Sequence, residues 1–326
     1  MNPKFHSLFF IYAPSALSGI LLTLSFPKAG LSFLAFFALV PWLLTIPSLT
    51  AKQAFKSGLT AGLTHFITLL YWLVQTIHTY GGLHLVLSIF VLILLSIYLA
   101  LYPALFGFLY KKFTSLSDYS RGYTPGCSPD FSPGFASGFS PFMAACLWTG
   151  FEYIRTYAFT GFSWGSLGYS QYAALPFIQI ADITGVYGVS FLIILINHLI
   201  VDWIVWFKKA GNPGNMPEKT SHKKAPLLSS VFIALLIAIT LIYGHIRLSK
   251  IQSLADSASK PSVAVIQGNI AQDIKWSDEF KTATTEKYIF LSKSTLADSP
   301  DLIIWPESAL PFYYGYEQTL SVQVNR

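Results

Sequence analysis

The chain has 326 residues, of which 53% are hydrophobic and only 11% charged, against roughly 25% charged in soluble domains. That depletion excludes an ordinary soluble globular protein and points to a polytopic α-helical membrane protein. The net charge of +6 does not argue for nucleic acid, because the basic residues stand in short loops between apolar runs, as they do when they orient a chain in a bilayer.

A span needs about 20 apolar residues. In chain order, candidate runs occupy residues 8–24, 31–46, 54–77, 83–110, 142–157, 186–207 and 227–243, so residues 1–245 read as a transmembrane domain of about seven helices. Lys52 and Lys56 follow the second run. Lys111, Lys112 and Arg121 follow the fourth, and Lys208, Lys209, Lys219, Lys223 and Lys224 follow the sixth. The loops of the other side hold little beyond Lys28 and Arg155. Basic loops stay in the cytoplasm, so the expectation is a cytoplasmic N-terminus, an outward exit of the seventh run, and a polar tail on the outer side.

Residues 113–141 are rich in Ser, Gly and Pro and read as a flexible cytoplasmic loop without regular helix. The two cysteines suggest no disulfide framework: Cys127 falls in that loop and Cys146 in a span. Glu152 and Arg155 stand three apart, on one face of the fifth span. They either pair and anchor the helix or line a path for a lipid head group. Residues 159–188 are Gly- and aromatic-rich, which reads as an interfacial aromatic belt or a surface-lying segment flooring a lipid site. His65, His78, His84 and His198 have no metal-ligand spacing, and neither a metal nor a cofactor is expected. No inverted repeat favours a transporter.

The character changes near the end. VAVIQGNI (263–270) and DLIIWPESALP (301–311) are short apolar runs bounded by Gly, Pro and Asp, which read as buried strands separated by a polar helical stretch. The second run delivers Glu307 at its C-terminal end, where α/β folds usually keep their chemistry.

The strings LSFPKAGLSFLAFFALVPWLL, SGLTAGLTHFITLLYWL, FTGFSWGSLGYSQ with GVYGVSFLIILINHLI, VAVIQGNIAQDIKW and DLIIWPESALP resemble, in order, landmarks of bacterial apolipoprotein N-acyltransferases. The resemblance covers residues 24–311, apart from the loop at 113–141. It implies a nitrilase-like (carbon–nitrogen hydrolase) α-β-β-α sandwich on the periplasmic face of the inner membrane, begun here by residues 261–326. It also implies a Glu, Lys and Cys triad. The Cys takes an acyl group from a glycerophospholipid as a thioester and passes it to the amine of a diacylglyceryl apolipoprotein. Glu307 matches the catalytic Glu of the WPE motif, and Trp276, in DIKW, matches a Trp near the lipid entrance that binds substrate.

In the family the Lys and Cys lie downstream of WPE, whereas this sequence ends at Arg326. The expectation is an incomplete copy of the domain, inactive alone. The rival readings are a non-catalytic membrane protein that binds lipid or a partner, and a transporter with a decorative tail.

Overall fold

A computed structural model of the chain describes residues 3–119, 136–210, 226–272 and 274–325. Backbone contacts group Met1–Thr76 with Leu83–Ile251 as one unit, and Ile77–Gly82 with Gln252–Arg326 as a second. In chain order the helices before the first strand are α1 (Pro3–Leu24), α2 (Val40–Leu43), α3 (Ala51–Leu69), α4 (Trp72–Gln75), α5 (Leu85–Tyr119), α6 (Ala136–Tyr157), α7 (Leu175–Ile178), α8 (Ala181–Ala210) and α9 (Leu227–Ser257).

In an apolar surrounding helices cannot associate by shedding water, so close approach of small residues decides packing. α3 shows this on both sides. A methyl group on Gly58 would lie 2.3 Å from the Pro103 carbonyl oxygen of α5, and one on Gly62 2.8 Å from Ala100 Cα. On α1, Gly19 is equally tight, its missing Cβ 2.5 Å from the Ala61 carbonyl oxygen. Thr50 and Gln53 form a capping box at the α3 N-terminus, which fixes where the helix starts.

Among the described residues three helices can cross a membrane by length and composition: Leu85–Ser115, Ala181–Lys208 and Leu227–Ser257. A fourth arises if Ala51–Leu69 and Trp72–Tyr80, bent by 50°, are one span. Of these α9 is the most peripheral, with 17% of its apolar window buried against 50% for α8.

The expected second span is corrected. Residues 31–46 do not form one helix: Ser32–Phe36 and Ile46–Ser48 are 3-10 turns that flank the four-residue α2. Pro41 and Pro47 prevent continuous helix here. The freed backbone groups find side chains instead. Leu39 N donates to Asn197 Oδ1 at 2.9 Å, Asn197 Nδ2 donates to the Ala35 carbonyl at 2.8 Å, and Gln171 Nε2 donates to the Ser32 carbonyl at 2.9 Å. Irregular backbone at membrane depth is tolerated only where protein covers it, and Ala35, Leu39, Trp42, Leu43 and Ile46 are accordingly in the core.

Three boundaries also move. Residues 113–119 and 136–141 are helical, continuing α5 and opening α6, rather than part of a loop. No Gly or Pro stands in 113–119, and the Thr114 and Ser115 hydroxyls donate back to carbonyls one turn earlier. Cys127, with the rest of that segment, lies outside the described residues. The end of the transmembrane domain, expected at residue 245, falls inside α9, because KIQSLADS continues with good helix formers to Ser257.

The second unit contains β1 (Val263–Val265), α10 (Lys281–Ser294), β2 (Leu302–Ile304) and α11 (Gln318–Val324). The strands pair in parallel, with Val263 opposite Leu302 and Val265 opposite Ile304. A parallel pair needs a crossover, and α10 provides it. Ile266, Tyr288 and Ala309 form the buried centre, with Ile270, Leu291, Ile303 and Trp305 packed around them.

Candidate functional site

Parallel strands end on the same side, so β1 and β2 deliver their following loops together. The loop after β2 carries Trp305, Pro306 and Glu307. Trp305 is the anchor: its Nε1 donates to Ser292 Oγ of α10 at 2.7 Å, and its ring lies 5.2 Å from that of Tyr288. With Trp305 fixed, Glu307 stands three residues beyond the strand, in a turn and exposed. Ser308 has a φ of 55°, a left-handed backbone that a serine rarely adopts. The loop after β1 contains a second such residue, Asn269, with a φ of 50°. Asn tolerates this conformation far better than Ser does.

The β1 loop returns to the same place. Lys275 Nζ donates to the Glu307 carbonyl oxygen, a long bond of 3.4 Å, and lies 6.0 Å from the centre of the Trp276 ring. Lys275 therefore joins the segment of Trp276 to that of Glu307. Trp276 is 60% exposed, a large apolar surface with no place in the core of this unit. The Glu307 carboxylate takes no hydrogen bond or ion pair among the described residues, so it is open to a reacting group. Sequence reasoning singled out Glu307 and Trp276 but passed over Lys275. The signal was present, since Lys275 stands beside Trp276 in the same string.

A second constellation lies inside the first unit. Glu152 and Arg155 are 5% and 3% exposed, so each charge is withdrawn from solvent and needs polar partners. They form no direct ion pair. Glu152 Oε1 accepts from Trp148 Nε1 at 3.0 Å and from Leu167 N at 2.7 Å, while Arg155 Nη2 donates to Ser166 Oγ at 3.1 Å. The Arg155 guanidinium also sits 5.3 Å from the Phe66 ring centre. Both side chains thus fasten the irregular segment after α6, whose 3-10 turn Leu167–Gln171 is further held by Ser190 Oγ accepting from Gly168 N. Trp164, Tyr169 and Tyr172 of this segment are exposed.

His65 and His198 are buried within the bundle, where His65 Nδ1 meets Thr23 Oγ1 at 3.0 Å and His198 is hydrogen-bonded to the Tyr110 hydroxyl. Among the described residues no three His, Cys, Asp or Glu side chains converge on a metal-sized site. Cys146 is free and exposed on α6, in the first unit.

The family model for the apolipoprotein N-acyltransferase N-terminal domain matches residues 18–199. The chain is 40% identical over 307 residues to an apolipoprotein N-acyltransferase of Geobacter metallireducens, covering 94% of this chain and 52% of that protein. It is 30% identical over 320 residues to that of Pasteurella multocida, covering 97% and 53%. To that of Haemophilus ducreyi it is 36% identical over 173 residues, covering 53% and 30%. The chain spans about half the length of the first and second of these relatives.

Proposed function

Because the chain belongs to the apolipoprotein N-acyltransferase family, we propose that the whole protein moves an acyl group from a glycerophospholipid to the α-amine of a diacylglyceryl apolipoprotein. The second unit is read as the start of a nitrilase-like α-β-β-α domain on the periplasmic face of the bacterial inner membrane. Glu307 is its general base. A cysteine thiol gives its proton to Glu307, and the thiolate attacks the ester carbonyl carbon of the lipid. The ester C–O bond breaks, and the lysophospholipid oxygen leaves with that proton. The lipoprotein amine then attacks the thioester and gives up a proton as the C–S bond breaks, and the thiol is regenerated. No cofactor is needed for either half. Trp276 offers its exposed ring to the lipid.

The observation that most supports this reading is Glu307 itself. It is an open carboxylate just past the end of a parallel strand, held there by the partly buried Trp305 and adjoined by the loop that carries Trp276. Lys275 is not put forward as the family's catalytic lysine, because it precedes the WPE string, whereas the family's lysine follows it.

The test uses a chain extended to the length of its relatives, incubated with labelled phospholipid and a diacylated lipopeptide. Triacylated product is the expected result. A folded, membrane-inserted protein that yields neither product nor labelled enzyme contradicts the proposal.

A further inference from the structure

We propose that the pocket between Glu152 and Arg155 in the first unit is a built binding site for water, in which up to about three molecules join the carboxylate to the guanidinium. The proposal stands apart from acyl transfer and rests on polar atoms that the fold leaves over. After the bonds to Trp148, Leu167 and Ser166, one buried atom of each charged group, Glu152 Oε2 and Arg155 Nε, has no hydrogen-bond partner among the described residues.

Both residues line one cavity of about 40 Å³. A carboxylate oxygen only accepts and a guanidinium nitrogen only donates. A single kind of ligand that satisfies both must itself donate and accept. Tyr102 and His65 line the same cavity and add further polar groups, so a ligand there has the two to four partners that a buried water needs.

Size decides among ligands of this chemistry. An apolar cavity of about 150 Å³ is needed to admit benzene, whereas one water needs about 10–15 Å³. A cavity of about 40 Å³ suits about three waters and is smaller than a lipid head group or an acyl chain. The rest of the wall, including Trp42, Phe66 and Phe106, is largely apolar, so the charged pair is what holds the water.

Hydroxyl-radical footprinting of the full chain in lipid nanodiscs tests the site, because radicals formed from bound water oxidise the rings beside it. Phe66 and Phe106 line the cavity and are 3% and 0% exposed, while Phe177 is 6% exposed and lies outside it. The expected result is oxidation of Phe66 and Phe106 several-fold faster than Phe177, although their burial is as deep or deeper. Equal or slower oxidation in the unaltered chain means a dry pocket and overturns the proposal, whatever any variant does. Replacing both charges, Glu152→Met with Arg155→Met, should bring the rate at Phe66 and Phe106 down to that of Phe177. An excess that survives in the folded double variant shows that the charged pair does not hold the water, and that also overturns the proposal.

Discussion

Gly268 shows how little room the β1 loop has. A methyl group there would lie 2.4 Å from Cζ of Tyr288, a ring in the centre of the second unit. Gly268→Ala is expected to destabilise this unit by about 1–3 kcal/mol, as overpacking does. The check is faster proteolytic cleavage within residues 261–326, with unchanged cleavage of the first unit. Lys281 makes a different prediction. Its Nζ bonds Glu317 Oε1 at 2.7 Å and Asp278 Oδ1 at 2.9 Å, tying α11 to the start of α10. The bond to Glu317, then that to Asp278, raises the lysine above its ordinary value of 10.5. A raised folded value means that the tether is fully present below pH 10.5 and fades as pH climbs through the raised value. A fluorophore at the exposed position 322 should become mobile only in that alkaline window. In Lys281→Met it should be equally mobile at every pH. Legibility at this scale was uneven. The three-residue spacing of Glu152 and Arg155 placed them on one helix face, but nothing local revealed their bonds to Leu167 and Ser166, which fix the segment read as an aromatic belt or a surface-lying floor.

Among the elements, the segment Ser32–Ser48 separates what periodicity can and cannot show. Its apolar run was counted as a span although short of about 20 residues, and the prolines that break it were passed over. What replaces the helical bonds comes from Asn197 and Gln171, more than a hundred positions away, and no window along the chain can detect that. Asn197→Leu would strand the Leu39 N–H and the Ala35 carbonyl, at about 1–3 kcal/mol for each buried group left unsatisfied. Its melting temperature in detergent should fall well below that of the parent chain, and an unchanged melting temperature would deny Asn197 this role. The strands were easier to place, because short apolar runs bounded by Gly, Pro and Asp have few alternatives. Their expected burial is corrected: Val263, Val265, Leu302 and Ile304 are exposed, and only the alternate residues are partly buried. The membrane helices were legible as apolar runs, but their ends were not. α5 runs past the first serines of 113–119, and α9 continues to Ser257, since a helix stops at a breaker or cap rather than where hydropathy falls.

For the molecule as a whole, the family landmarks carried more than any single element. We propose a cytoplasmic N-terminus and seven crossings, the broken segment Ser32–Ser48 counted as one, although at most four of them are long and apolar enough by themselves among the described residues. Reporter fusions after Lys224 and after Lys260 should then lie on opposite sides of the membrane, and fusions on the same side would refute the count. The chemistry can be tested more directly still. A chain extended to the length of its relatives is given labelled phospholipid, and label on the protein is measured with Glu307 intact and as Glu307→Gln. Gln keeps the shape but cannot accept the thiol proton, and general-base catalysis is worth about 10²–10⁴-fold. Acyl-enzyme formation should fall by that factor while insertion and folding persist. Acylation of Glu307→Gln at the parent rate would show that Glu307 is not the base.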